Sequence, residues 1–311
     1  MLLAALLLGV PAYASPRLAT ATAVAVEAAP PSAPANPIAA GLQAALDDLH
    51  AGRVGPGAFA ALKTTRAAYE QRLELNLRRA AELPSTFPRR YIIVDIPAQM
   101  LWLYEDGRLA LSMPVVVGKP TEPTPTLITE VKSAVFNPYW NVPWDLARNT
   151  WAPRIVKQGV KYLKTVNMQV LAPDNSPEGR VVAPDSVNWN DVAAGRIWAR
   201  LRQLPGPNNM MGAVKFEMPN EQGIYLHDTP LKQFFRASQR TLSAGCVRLS
   251  HAEELAKALL GAAAPAGDTP PETRVDLPEP VAVYITYLTA TPVDGVLRFF
   301  PDVYRRDKSR N

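Results

Sequence analysis

The spacing of apolar residues changes character along the chain. From Phe59 the positions Leu62, Tyr69, Leu73, Leu77 and Ala80 recur at intervals of three, four or seven, with Arg and Glu between them, which predicts one apolar face on a helix. Pro84 and Pro88 end that pattern. From Arg90 the chain turns to short runs of β-branched and aromatic residues. Tyr91–Ile96, Met100–Tyr104 and Leu109–Val117 predict three strands, with Glu105-Asp106-Gly107 as a turn signal, and Leu127–Phe136 predicts a fourth. A helix is expected over Pro153–Leu163, followed by loops bearing Trp189 and Trp198. Val214–Met218 and Gly223–Leu226 resume the strand pattern around Pro219-Asn220. Ser250-x-x-Glu253 has the form of a capping box opening a helix His251–Leu260, which Gly261 stops. Val281–Thr289 and Val296–Phe300, joined around Asp294-Gly295, predict a closing hairpin packed by Tyr284, Tyr287, Phe299 and Phe300. The sum is mainly β with α, an α+β class, with no alternating βαβ units and no internal repeat.

Two stretches lie outside these patterns. Leu2–Val10 is an apolar run followed by Ala12-Tyr13-Ala14, so residues 1–14 read as an export signal with its cleavage site. The run is too short to span a bilayer, which takes about 20 apolar residues. The positive residues usual before such a run are missing, the first charge being Arg17. Residues 15–55 are rich in Ala and Pro and read as a linker, and residues 56–89 as a helical segment packed on the domain that follows.

Composition narrows the function. Of 311 residues, 48% are apolar and 20% charged, a globular balance. The net charge of +5 comes without any block of like charges, which argues against nucleic acid, while a basic surface suits an anionic partner such as a cell wall. A single cysteine, Cys246, rules out an intrachain disulfide and a cysteine-built metal site. With only His50, His227 and His251 as imidazoles, no metal is expected, and His50 and His251 read as surface residues.

The residues able to do chemistry cluster in Ile224-Tyr225-Leu226-His227-Asp228-Thr229-Pro230 and Ser243-Ala244-Gly245-Cys246-Val247-Arg248-Leu249. A nucleophilic thiol needs a base or cation beside it. His227 ends a strand-like run, Cys246 follows a turn of small residues, and Arg248 points to the same side as Cys246 in extended chain. Gly245 allows close backbone approach, and main-chain N–H groups at such a turn can receive an oxyanion. By residue type alone, a lone cysteine before valine reads as readily as a buried small hydrophobe.

The arrangement resembles the L,D-transpeptidases, the bacterial cell-wall enzymes with a YkuD-type catalytic domain. The likeness runs from about Tyr91 to Leu260, through Val117-Gly118-Lys119-Pro120, Thr124-Pro125-Thr126, Asn137–Pro143, Leu204–Asn209 and Val214–Asn220 to the His227 and Cys246 segments. It is most similar to the YcbB-like branch, which inserts a capping segment before the catalytic strand. The resemblance implies a YkuD-like β-sandwich over residues 90–305, with 145–205 as the capping subdomain. It implies Cys246 as nucleophile, His227 as base and Asp228 orienting His227 through its main-chain carbonyl. Gly245, Cys246 and the Tyr225 hydroxyl would receive the oxyanion. Ser243, Arg248, Trp140, Trp144 and Asn209 would support the turn, the cleft or the substrate. The implied partners are peptidoglycan stem peptides, with no cofactor, in the periplasm of a Gram-negative cell and with no membrane anchor after signal cleavage. The implied reaction is diaminopimelate–diaminopimelate or alanine–diaminopimelate cross-linking, sensitive to carbapenems. Water as acceptor would give a carboxypeptidase or amidase instead, and loss of turnover a wall-binding protein. Two features depart from the family pattern: Ala244 stands where many relatives have His, and residues 15–90 are too short for a full peptidoglycan-binding domain.

Overall fold

A computed structural model describes residues 36–174, 179–265 and 269–307, so the export-signal reading of 1–14 lies outside the described residues. The described part begins with a helix, α1 (Pro37–His50), inside the stretch 15–55 expected to be linker. The Asn36 side chain caps it by accepting from the Ile38 and Ala39 N–H groups, and Pro37 occupies the first turn. Ile38, Leu42, Leu46 and Leu49 form its buried stripe, one that the abundant alanines between them mask in a compositional reading. The helix expected from Phe59 to Ala80 is two: α2 (Pro56–Ala61) and α3 (Arg66–Ala80). Lys63 at φ +50° breaks the run, and the Thr65 side chain caps α3.

Eight strands then close on themselves. They are β1 (Arg90–Asp95), β2 (Met100–Glu105), β3 (Arg108–Gly118), β4 (Leu127–Phe136), β9 (Val214–Glu217), β10 (Leu226–His227), β12 (Val247–Leu249) and β13 (Thr273–Thr286). The order is β3-β12-β10-β9-β4-β13-β1-β2, and β2 pairs back onto β3. A short ninth strand, β11 (Thr241–Ser243), runs parallel to the end of β3. Asp106 and Gly107 both take positive φ, the two-residue turn that suits the twist of the β2–β3 hairpin. Closure leaves few unpaired edges.

Strand alternation sorts side chains between two cores. Ile92, Val94, Leu101, Leu103, Val283 and Ile285 face the interior of the closed sheet. Tyr91, Ile93, Trp102 and Tyr284 face outward and are covered by α1, α3 and the hairpin of β14 (Ala290–Val293) and β15 (Val296–Phe299). β1 is therefore buried on both faces and reads as a continuous apolar run. Val281–Thr289 does not pair with Val296–Phe300 as expected. Residues 281–286 belong to β13, parallel to β1 and antiparallel to β4, and β14 supplies the hairpin partner. The helix α8 (Ala252–Leu260) adds Leu255 and Leu259 to the interior core. The Ser250/Glu253 capping box does not form, because Ser250 Oγ lies 2.8 Å from His251 Nδ1 instead.

Between β4 and β9 lies a second small sheet, ordered β5 (Trp140–Asn141), β8 (Arg200–Gln203), β6 (Met168–Leu171), β7 (Val181–Val182). Short helices α4 (Trp144–Leu146), α5 (Ala152–Gln158), α6 (Tyr162–Thr165) and α7 (Trp189–Ala193) pack on it around Trp151, Ile155, Leu163, Trp189 and Leu201. The helix expected over Pro153–Leu163 is thus split between α5 and α6 at Gly159. Because β5 pairs with β8, this unit starts at Trp140 rather than 145.

The Asp95 carboxyl is fully buried, accepts the Leu288 N–H at 2.9 Å, and leaves its second oxygen unpartnered. Burial raises its pKa well above the ordinary carboxylate range.

Leu42→Ala, at a fully buried position of α1, is expected to lower unfolding free energy by about 2–5 kcal/mol in a urea titration. An effect below about 0.5 kcal/mol would show α1 to be an appendage. For Asp95, the folded state holds a proton that the unfolded chain releases near pH 4, so its stabilisation is lost as pH rises towards the raised folded value. The stability difference between wild type and Asp95→Asn should shift towards the variant on going from pH 4 to 7.5. The rate should be about 1.4 kcal/mol per pH unit while the wild-type carboxyl stays protonated. A pH-independent difference would contradict this.

Candidate active site

The register of three neighbouring strands decides which side chains meet. Phe216, Leu226 and Val247 are paired across β9, β10 and β12, and all three point into the closed core. Their neighbours Lys215, His227 and Arg248, paired across the same strands, therefore share the opposite face. Tyr225 and Cys246 extend this register by one step, since the Val247 N–H donates to the Tyr225 carbonyl at 3.0 Å. Above them lies a cavity of about 130 Å³ lined by Cys246, Tyr225, Lys215 and Gly223 below and by Tyr139–Asn141 and Pro143 at the start of the small sheet.

The turn that carries Cys246 is held from several sides. Gly245 has φ +107°, a conformation side-chain-bearing residues rarely adopt. Its carbonyl accepts from Thr124 Oγ1 at 2.6 Å, and Thr124 Oγ1 accepts from the Gly118 N–H at 2.8 Å. Gly118 itself admits no side chain, because a Cβ would sit 2.2 Å from the Glu122 carbonyl. Tyr304 closes the network, donating to the Gly118 carbonyl at 2.6 Å and accepting from the Thr124 N–H at 3.2 Å. Ser243 Oγ donates to the Cys246 carbonyl at 2.5 Å and accepts the Gly245 N–H at 3.2 Å. The Gly245 N–H, expected to face an oxyanion, is spent within the turn. The Cys246 N–H has no acceptor among the described residues, and Cys246 lines the cavity.

His227 is buried, and its Nδ1 lies 2.5 Å from the Asp228 carbonyl. A carbonyl only accepts, so Nδ1 carries the proton and Nε2 keeps the lone pair. Burial, and then the Arg248 cation, lower the imidazole pKa to about 4 against the opposing carbonyls of Asp228 and Met211. The ring is neutral at pH 7. The Cys246 thiol is pushed up by burial, against a main-chain hydrogen bond from Tyr225 and the Arg248 charge. Its hydrogen bond is to the Gly223 carbonyl at 3.8 Å. The resting site is a neutral thiol and a neutral imidazole, each tied to a main-chain carbonyl. Burial, with Cys246 next to it, raises the Tyr225 phenol, which stays a proton donor.

The remaining expected residues divide. Trp140 lines the cavity and stacks edge-on against Trp151 with centroids 6.1 Å apart. Trp144 does not line the cavity and packs against the core of the small sheet. Asn209 is buried and its amide is bonded to the protein's own main chain. Its Nδ2 donates to the carbonyls of Pro138, Gln203 and Leu204, and its Oδ1 accepts the Met211 N–H, tying the small sheet to the start of β9. The Asp228 carboxylate accepts from the Ala213 N–H at 2.9 Å and pairs with Lys232 at 2.5 Å, so its side chain fastens the His227 strand to the same link. Arg248 stands 6.0 Å from the Phe234 ring, with its Nε buried and unpartnered among the described residues. Thr124, Tyr304 and Lys215 escaped the sequence reading of the site. Thr124 and Tyr304 are 180 residues apart, and no local spacing links them.

The profile of the YkuD L,D-transpeptidase catalytic domain matches residues 89–292. A Haemophilus influenzae protein provisionally named an L,D-transpeptidase is 33% identical over 252 residues, covering 78% of this chain and 49% of the relative. The chain thus spans about half the length of the curated relative it matches. Among solved structures, an Enterococcus faecium L,D-transpeptidase is similar at 13% identity and TM-score 0.30, over 64% of this chain and 50% of that one. Mycobacterium tuberculosis L,D-transpeptidase 1 is similar at 16% identity and TM-score 0.28, over 64% and 59%. Those two likenesses are too low to add weight; the domain match and the sequence relative carry the assignment. The chain belongs to the YkuD family of L,D-transpeptidase catalytic domains.

Proposed function

We propose that the protein is an exported peptidoglycan L,D-transpeptidase with Cys246 as its nucleophile. The observation that carries this reading is the chain's one thiol, set on a pinned turn, opening into a cavity and sharing a sheet face with a neutral imidazole. The donor is a stem tetrapeptide. Cys246 Sγ attacks the diaminopimelate carbonyl as its proton passes to His227 Nε2, forming the S–C bond. The Cys246 N–H and the Tyr225 hydroxyl receive the developing oxyanion. The C–N bond then breaks, and D-alanine leaves with the proton that His227 returns. An amine of a second stem attacks the thioester, forms the cross-link and restores the thiol.

The thiol bonds to the Gly223 carbonyl rather than to the imidazole, so the proton transfer requires Sγ to turn towards His227. Such loosened contacts are usual before substrate binds. The Tyr139–Pro143 segment above Cys246 favours an amine over water by restricting access. No helix among the described residues is long and apolar enough to cross a membrane. The export-signal reading supports action in the periplasm.

Mass spectrometry of disaccharide-tetrapeptide muropeptides incubated with the protein should show dimers with loss of D-alanine. A carbapenem should add its mass to Cys246. Cys246→Ala should lose both while unfolding like wild type; retained cross-linking would sink the mechanism. A second outcome follows from the neutral resting pair. The alkylation rate of Cys246 by iodoacetamide should climb with pH through neutrality and beyond pH 9, because burial raises the thiol above its ordinary value. A plateau from about pH 6 would mean a preformed thiolate–imidazolium pair instead.

A further inference from the structure

A lysine in the same cavity has no role in the chemistry above. Lys215 lines the cavity beside Cys246, and its side chain is only 13% exposed. Its ammonium carries three donors. Yet the nearest acceptors are the Glu272 carboxylate at 3.7 Å and the Glu217 carboxylate at 3.9 Å, both beyond hydrogen-bond distance. Each carboxylate spends its other oxygen elsewhere: Glu217 Oε2 takes Arg274 and, at 2.9 Å, Ser133 Oγ, and Glu272 Oε1 takes the Tyr139 N–H, while Glu217 Oε1 and Glu272 Oε2 face the lysine at long range. Neighbouring ion pairs close fully, with Lys232 at 2.5 Å from Asp228 and Arg274 at 2.9 Å from Asp276. The Lys215 ammonium also lies 6.0 Å from the centroid of the Tyr225 ring, another wall of the cavity. A largely desolvated cation with spare donors at a nucleophile's cavity is suited to an anionic substrate group.

We infer that Lys215 is a specificity-determining residue that binds a carboxylate of the donor stem peptide beside Cys246. The inference rests on the transpeptidase reading and adds the recognition element to it. The geometry is consistent with this. Lys215 pairs with His227 across β9 and β10, so the strand register roots the lysine one strand, about 5 Å between backbones, from the base. The departing D-alanine and the diaminopimelate side chain both bring a carboxylate within a few bonds of the scissile amide. Either would complete the partial ion pairs of Lys215.

The test separates these sources and stands apart from turnover. Binding of the free tetrapeptide, its C-terminal amide and its diaminopimelate side-chain amide is measured by calorimetry on Cys246→Ser protein, with and without Lys215→Gln and Lys215→Arg. Lys215→Gln should weaken the tetrapeptide at least tenfold and Lys215→Arg should recover part of the loss. The amide that lacks the contacted carboxylate should bind weakly to both proteins and show no further loss with Lys215→Gln. In otherwise wild-type protein, Lys215→Gln should raise KM at least tenfold with kcat changed less than threefold. Equal binding of acid and amides to all proteins, or no binding of the tetrapeptide to the Lys215 protein, overturns the inference. Tetrapeptide binding that depends on Lys215 but never acylates Cys246 in wild-type protein would instead overturn the transpeptidase reading.

Discussion

The closed core fixes the chemistry by fixing the register of β9, β10 and β12. Phe216, Leu226 and Val247 are removed from water inside the ring of strands, and each is worth roughly 1.5–3 kcal/mol of burial. A slip of one residue would expose all three and turn Lys215, His227 and Arg248 into an apolar interior. Their shared face is thus enforced by hydrophobic burial rather than by attraction among themselves, which for two cations beside an imidazole is unfavourable. The lowered basicity of His227 is one consequence, since the same packing that buries the ring also sets Arg248 against it.

The turn bearing Cys246 depends on a second layer that the strands do not supply. Thr124 bonds to it from the β3–β4 connection and is itself held by Gly118 and, from the C-terminal segment, by Tyr304, while Ser243 bonds to it from within. These bonds hold Gly245 in a conformation that needs no Cβ, and they consume its N–H and carbonyl. The group left unspent beside the cavity is the Cys246 N–H. The main chain of this turn is thus held from several sides, whereas the Cys246 thiol is tied only to the Gly223 carbonyl, at 3.8 Å.

The small sheet is joined to this arrangement at two polar points. Asn209 ties it to the start of β9 through four main-chain bonds, and the Asp228 carboxylate grips the Ala213 N–H next to them. Gly212 between them tolerates no side chain, because a Cβ would lie 2.3 Å from the Asp228 carboxylate. These bonds connect the small sheet to the strand that carries His227. Buried side chains that satisfy main-chain groups in this manner are costly to replace, by about 1–3 kcal/mol for each group left unsatisfied.

Local pattern made the strands β1 to β4, β9 and the helix α8 readable from the sequence, because each carries its own periodicity and turn residues. It also marked Cys246, His227 and Arg248 as candidates for thiol chemistry, with a buried structural cysteine as the competing reading, and the family resemblance added Tyr225. It did not reveal α1, whose apolar stripe is interspersed with alanines, nor the break at Lys63, which spacing does not mark. The resemblance placed Asn209 and the Gly245 N–H among the substrate contacts, whereas the fold bonds both to the protein itself. Closure of the sheet, the Thr124–Tyr304 network and the cavity position of Lys215 were decided by tertiary structure alone. Each joins residues far apart in the chain, through pairings whose energy exists only once the hydrophobic core has brought them together.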